Sequence, residues 1–558
     1  KNNKKQLIAT QFESHHAREV FPCIDEPEAK AVFDLTMTTP KGETVIANTP
    51  IKSQLTKGNY SITTFEPTPI MSTYLLAFVY GEMGYKEAKT SDGILVRTYA
   101  TPDNVQFTDF ALEVAVKCLD FYNDYFGIPY PLEKCDMIAL PDFASGAMEN
   151  WGCITYREQC MLVDPKNTSI PTKQYVAMVV AHELAHQWFG NLVTMRWWTD
   201  LWLNEGFASW IEYMAVDHIF PEWQMWTQFA VDEQHRAFKL DALEYTHPIE
   251  VPINHPDEIR SIFDTISYSK GASVLHMLHA YLGADDFKKG LEHYLQTHAH
   301  SNTDTVDLWQ ALEESSKKPV KKFMHAWTTK SGFPVLRVSS DSQTTLNQTR
   351  FFINPKHTKK SDDVWPISLQ SDNKQLPDLL DKNELTLPFK INATKLNLGQ
   401  TGFYRVSYDT RQLEQIGAQV KLGDLSPIDR LGVLSDAFES AKAGFINTVD
   451  ALRFMNNFEH EDNSAVWDVM VGSIGATRSV MDDETLRDNM KPFITSLASK
   501  QYKRLGWQAK KSDSYFDQLL RPTILGMMSG ADYKDAVNEA LGRFDGSKRL
   551  EDIEADLR

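Results

Sequence analysis

From Leu7 to about Arg97 short apolar runs alternate with turn residues: Ala31–Met37, Thr44–Ala47, Ser61–Phe65 and Tyr74–Val79 are divided by Pro40, Gly42, Gly58 and Gly81. Runs of that length bounded by turn chemistry predict strands, and so a β domain over residues 1–97. From about Thr98 to Gly332 the apolar positions recur at helical spacing, in Ala111–Tyr122, Thr172–Phe189, Leu201–Val216, Gly271–Tyr281 and Phe287–Gln296. A large, mixed but mostly helical domain over 98–332 is expected. Alternation returns at Trp365, Ile367 and Leu369 and again at Leu385, Leu387, Phe389 and Ile391, which predicts a small β-sandwich over 333–411. Beyond it the period is helical once more. Ser426 can cap, Pro427 suits the first helical position, Ile428, Leu431, Leu434, Phe438 and Ala441 form one face, and Gly444 can end the helix. Residues 412–558 are expected to be all-α, with stacked helix pairs conceivable and no fixed repeat. The fold class is multidomain α+β.

A length of 558 residues exceeds what one core supports, in keeping with this division. Hydrophobic residues at 42% and charged residues at 24% are globular values, which excludes a disordered or fibrous chain. The longest apolar stretches, Tyr74–Tyr80 and Val176–Ala181, fall far short of a membrane span. A net charge of −18 argues against a nucleic-acid surface, which draws on clustered Lys and Arg. The five cysteines, Cys23, Cys118, Cys135, Cys153 and Cys160, are odd in number and lack paired metal spacing, which favours free thiols and a cytoplasmic location. Sequons at Asn59, Asn167, Asn347 and Asn392 would suit secretion instead, and a start at Lys1 leaves a removed leader open.

The chemistry concentrates at Ala181–His186, which reads AHELAH within a helix-compatible, apolar run. Two imidazoles four residues apart project from one helix face and can share one ion, while Glu183 lies about 60° round the helix from His186 and can act as a base without becoming a ligand. Glu205, early in the next helical run, can supply the third ligand of a His₂Glu site. Such a donor set suits Zn²⁺ better than Mg²⁺ or Ca²⁺, and one zinc per chain is expected. Trp197, Trp198 and Trp202 read as packing behind the zinc helix, and His15, His16, His293, His298 and His300 lack metal spacing; none is given a chemical role.

The stretches Gly146–Asn150 (GAMEN), His182–Asn191 (HELAHQWFGN), Thr194–Ala208 (TMRWWTDLWLNEGFA), Tyr268–Gly271 (YSKG) and Gln11–Glu26 closely resemble the zinc aminopeptidases of the alanyl and puromycin-sensitive type, within the gluzincins. The likeness continues through Gly402–Asp409 and Leu505–Trp507. It implies that 98–332 is a thermolysin-like catalytic domain and that peptides with a free N-terminus are the substrates. It further implies that Glu149 and Glu13 bind the substrate's α-ammonium group, that the backbone of Gly146, Ala147 and Met148 runs beside the peptide, and that Tyr268 hydrogen-bonds the oxyanion. Gln11, Ser145 and Phe263 fall where relatives line the first side-chain pocket. Relatives carry further β structure before the equivalent of Lys1 and further helices after that of Arg558, so a chain truncated at both ends is expected. A neutral or hydrophobic N-terminal residue and a monomer are also expected.

Three other readings compete. An epoxide hydrolase of the same group would have Gln in place of Glu13 and Gly in place of Ala147. A thermolysin-like endopeptidase would share the zinc chemistry alone. A catalytically silent scaffold holding structural zinc would need neither Glu183 nor Tyr268.

Overall fold

The computed structural model describes residues 6–340, 343–357 and 363–557, so the ends Lys1 and Arg558 and residues 341–342 and 358–362 of the expected sandwich lie outside the described residues. The chain divides into two compact units, Lys1–Pro221 with Ile249–Met324, and Glu222–Pro248 with His325–Arg558.

The first unit opens with two antiparallel three-stranded sheets. Thr36–Pro40, Tyr60–Phe65 and Ile51–Lys57 form one, with Tyr60–Phe65 central; Ile8–Ala9, Phe78–Gly81 and Thr44–Ala47 form the other. Met37, Val45, Ala47 and Phe65 pack together beneath them. A mixed five-stranded sheet follows, in the order Ala147–Met148, Cys153–Arg157, Lys134–Leu140, Leu95–Ala100, Gly84–Lys89. Its three inner strands are parallel and its two edges antiparallel. Lys134–Leu140 is buried at every position, as a strand covered on both faces must be. Residue 97 lies inside the strand Leu95–Ala100, which pairs with both Gly84–Lys89 and Lys134–Leu140.

Helices α1 (Asp109–Phe126), α2 (Ile170–Ala185), α3 (Trp202–Ile219) and α4 (Gly271–Leu282) make the helical part that carries the motifs. Helix α2 starts where Ser169 accepts a hydrogen bond from the Thr172 backbone N–H and Pro171 sits in the first turn. From Val176 onward it is apolar nearly all round and largely buried, while Pro171, Thr172, Lys173 and Tyr175 in its first turns are exposed. Val176, Ala177, Val180, Ala181 and Leu184 are fully buried, and the Tyr122 hydroxyl of α1 donates to the Ala181 carbonyl at 2.9 Å. The tryptophans behave as packing groups: Trp198 and Trp202 are buried, and the Trp202 indole N–H donates to Thr305 Oγ1 at 3.0 Å.

In the second unit Pro334–Ser340 is central to a four-stranded sheet, ordered Glu384–Leu387, Thr344–Arg350, Pro334–Ser340, Arg405–Tyr408, beside a pair formed by Ile367–Ser368 and Leu379–Leu380. Trp365, Ile367 and Leu369 are buried, as their alternation predicts. Seven helices follow, from Thr410–Leu422 to Lys534–Gly546. The second of them, Pro427–Lys442, is capped by Ser426, which accepts from the Asp429 N–H, and buries Leu431, Leu434 and Phe438. N-terminal β structure, a mixed central region, a further sheet and a helical C-terminal region give the multidomain α+β fold class expected.

Candidate metal centre and amine pocket

Helix α2 ends at the centre of the site. His182 and Glu183 lie in its last turn, and His186 caps it with φ −58° and ψ −22°, still close to helical. Helix α3 brings Glu205 in its first turn. The three side chains converge: His182 Nε2 and His186 Nε2 are 3.0 Å apart, and each lies 3.4 Å from Glu205 Oε2.

The outer nitrogens are already engaged. His182 Nδ1 lies 2.7 Å from Glu212 Oε2, and His186 Nδ1 lies 3.0 Å from the Phe189 carbonyl oxygen. Both partners are acceptors, so each Nδ1 keeps its proton and each Nε2 faces inward, where its lone pair is held by a proton or offered to a metal. Two lone pairs facing at 3.0 Å repel unless a cation lies between them. Zinc bound tetrahedrally at about 2.0–2.1 Å separates its donor atoms by about 3.3 Å, close to the spacing found here. The donor set and its spacing therefore fit a zinc ion without rearrangement.

Charge tells the same story. Burial opposes protonation of both imidazoles, yet Glu212 and Glu205 hold His182 well above its ordinary value, and Glu149 and Glu205 bring His186 up to about 9. Burial would raise Glu205, but the His186 charge and hydrogen bonds from both imidazoles hold it down at about 2. Burial pushes Glu183 up to about 8 despite the two histidines. Imidazoles that gather protons beside carboxylates that resist ionisation mark a site short of positive charge.

A second carboxylate group adjoins the first. Oxygens of Glu13, Glu149 and Glu205 lie within 4.8 Å of one another, and this trio and His182/His186/Glu205 are the two groups of ligand type among the described residues. Glu149 is 3% exposed, and Oε1 of both Glu149 and Glu13 is buried without a hydrogen-bond partner. Burial, then the charges of Glu149, Glu205 and Glu183, hold Glu13 well above the usual carboxylate range.

Glu149 follows the two-residue strand Ala147–Met148, which is the edge of the five-stranded sheet, paired on one side with Cys153–Arg157. Its carbonyl oxygen accepts from Gln187 Nε2 at 3.1 Å and Asn191 Nδ2 at 2.9 Å, both just beyond α2, so the strand and the zinc helix are tied directly. Tyr268 lies in a π-helical turn, Ile266–Lys270, leading into α4. Its ring stacks 6.1 Å from that of His182, and its hydroxyl, kept protonated by burial and then by Glu205, donates to Glu205. Glu183 Oε2 is buried without a partner.

Of the pocket residues, Phe263 is half-buried with its ring 6.3 Å from that of Trp198, Gln11 Oε1 is buried without a partner, and Ser145 is exposed. The residues that sequence reading passed over are Glu212, Gln187 and Asn191. Glu212 had a signal, since seven residues from Glu205 is nearly two helical turns and places both on one face.

The chain matches the peptidase family M1 domain over residues 110–327, the peptidase M1 N-terminal domain over 1–75 and the ERAP1-like C-terminal domain over 393–558. Aminopeptidase M1-A of Oryza sativa subsp. japonica is 44% identical over 556 residues, covering 97% of this chain and 63% of the rice protein. Aminopeptidase M1 of Arabidopsis thaliana is 42% identical over 564 residues, covering 97% and 64%. Aminopeptidase N of Lactococcus lactis subsp. cremoris is 41% identical over 570 residues, covering 100% and 66%. The chain thus spans between 63% and 66% of the length of these relatives. With three matched regions of one peptidase architecture in order along it, the chain belongs to peptidase family M1.

Proposed function

We propose that the protein is a zinc aminopeptidase that releases N-terminal residues from peptides. The observation that carries this reading is the buried carboxylate pair Glu13 and Glu149 beside the His182/His186/Glu205 centre. A peptide's α-ammonium group is largely protonated at neutral pH and supplies the cation that those oxygens lack; an internal peptide bond supplies none. Leaving such carboxylates unpaired costs on the order of 2–5 kcal/mol, enough to bias the site heavily towards chain ends.

His182, His186 and Glu205 would hold the metal, with Glu212 orienting His182. Zinc bound there would supply Lewis acidity towards the scissile carbonyl and a water molecule. Glu183 removes the proton from the attacking water and delivers it to the leaving nitrogen, so that water adds across the broken C–N bond. Tyr268 donates its hydroxyl proton in a hydrogen bond to the developing oxyanion. The free side of the edge strand Ala147–Met148 offers its backbone to an extended substrate, with Gly146 beside it. Gln11, Ser145 and Phe263 would bound an uncharged first pocket, suited to neutral or hydrophobic residues. All five cysteines are free thiols, four of them buried, which suits a reducing, cytoplasmic setting. No helix among the described residues is long and apolar enough to cross a membrane.

The test is hydrolysis of leucyl-, alanyl- and arginyl-arylamides against their N-acetylated forms, with chelation and zinc add-back. Turnover of the free amines alone, lost and restored with zinc, is expected. Equal cleavage of acetylated peptides would make the protein an endopeptidase, and no turnover of any substrate would overturn the enzyme reading.

A further inference from the structure

Helices α3 and α4 meet at one point with no side chain between them. A Cβ built on Gly206 would lie 3.1 Å from both the Cα and the carbonyl carbon of Gly271, and 3.3 Å from the Ser267 carbonyl oxygen. A Cβ on Gly271 would lie 3.1 Å from Gly206 Cα and 3.8 Å from Trp202 Cε3. Gly206 directly follows Glu205, and Gly271 lies three residues after Tyr268. Gly206 sits inside α3, and Gly271 has φ −52° and ψ −53°, so both occupy helical conformations in which alanine is intrinsically favoured over glycine. Backbone conformation therefore does not require glycine at either position. Closeness of approach does.

We propose that Gly206 and Gly271 are positioning residues, whose backbone contact sets the separation between the Tyr268 hydroxyl and the metal-binding edge of Glu205. The inference rests on the reading of Tyr268 as the oxyanion donor. The turn that carries Tyr268 is held at both ends. At its start Asp264 Oδ1 accepts from the N–H groups of Ile266 and Ser267 at 2.9 and 3.2 Å. Within it the Lys270 N–H reaches back five residues to the Thr265 carbonyl at 3.0 Å, and at its end Gly271 rests on Gly206. A π-helical turn has a displaced ladder, a form found most often at functional sites. Here it swings Tyr268 onto His182 and Glu205, so that any added thickness at the glycine contact moves the hydroxyl relative to both. A methyl group at either glycine requires a shift of a few tenths of an ångström. Displacements of that order are felt in the reaction because a misplacement of about 1 Å costs on the order of 100-fold in rate.

The experiment compares Gly206→Ala and Gly271→Ala in the zinc-loaded full chain, each alone and combined with Tyr268→Phe, using leucyl-arylamide turnover, zinc content and the thermal midpoint. Each alanine should lower kcat by about 10-fold with KM changed less than about 3-fold and with one zinc retained. In the Tyr268→Phe background the same alanine should add less than about 2-fold, because the group it displaces has been removed. An alanine that raises the thermal midpoint and leaves kcat unchanged overturns the proposal. So do losses that multiply in full with Tyr268→Phe, and so does a failure of both alanine variants to fold, which would make the contact merely structural. A Tyr268→Phe variant with unchanged kcat removes the oxyanion reading itself, an outcome distinct from the others.

Discussion

Glu212 ties the metal centre to the body of α3, and its role separates cleanly from that of Glu183. Glu212 accepts from His182 Nδ1, so Glu212→Gln should loosen the ring orientation and weaken zinc affinity about 10–100-fold, as read by competition with a chelator. Glu183→Gln should keep zinc and lower kcat by about 10²–10⁴-fold; retained turnover would remove Glu183 from the base role. Proton competition gives a third outcome. Without the ion His186 titrates at about 9, above the value of about 6.5 for a free imidazole, so at pH 7 it holds a proton that zinc must displace. Zinc affinity should therefore rise with pH up to about 9, with proton release visible by calorimetry in buffers of different ionisation enthalpy. Affinity flat from pH 6 to 8 would contradict it. The convergence of His182 and His186 was legible because four-residue spacing on one helix is written in sequence, whereas Glu205 comes from a second helix and was read from its place early in the next helical run. Gln187 and Asn191 were not, since their partner is a backbone carbonyl about 40 residues away that any residue could supply.

Helices were easier to read than sheets, for a physical reason. In Pro427–Lys442 period, adjoining cap and first-turn proline are all local to the element, and in Ile170–Ala185 the period alone marks the helix, the expected run Thr172–Phe189 being offset from it at both ends. A strand's alternation tells which face is buried but not which strand lies beside it. The change of character near residue 97 is real in pattern, yet pairing places residues 84–100 in the same sheet as 134–157. Ala147–Met148 is two residues long and has no period to detect; its functional weight came from the resemblance alone. What fixes that strand is the clamp on the Glu149 carbonyl, fully buried on the Asn191 side. Asn191→Ala leaves this carbonyl with Gln187 alone and should cost about 1–3 kcal/mol of stability in denaturant titration. It should also lower kcat/KM for free-amine substrates with zinc retained. Unchanged kcat/KM would mean that the clamp supports the fold without placing Glu149.

At the scale of the whole molecule the acidic balance and the site point the same way. The chain carries −18, and Glu13, Glu149, Glu183, Glu205 and Glu212 surround a centre that offers only two imidazoles against them. Burial holds Glu13 and Glu183 towards their protonated forms, and a bound divalent ion favours their ionisation, so the carboxylates together give the loaded pocket a negative potential. Such a field draws cations to the pocket and raises their encounter rate, and salt screens it over about 10 Å at 0.1 M. Substrates should then rank by charge in their salt response. The kcat/KM of an arginyl-arylamide, with two positive charges, should fall most steeply between about 0.02 and 0.2 M salt, an alanyl-arylamide less, and a glutamyl-arylamide least. Comparing each substrate with itself removes differences in pocket fit, and zinc content measured at each salt concentration removes loss of the ion. The effect belongs in kcat/KM and not in kcat, because the field acts on encounter and has no leverage once the ammonium group is seated. Equal slopes for the three substrates would show that recognition at Glu13 and Glu149 is wholly local and that the charge of the chain does nothing for capture.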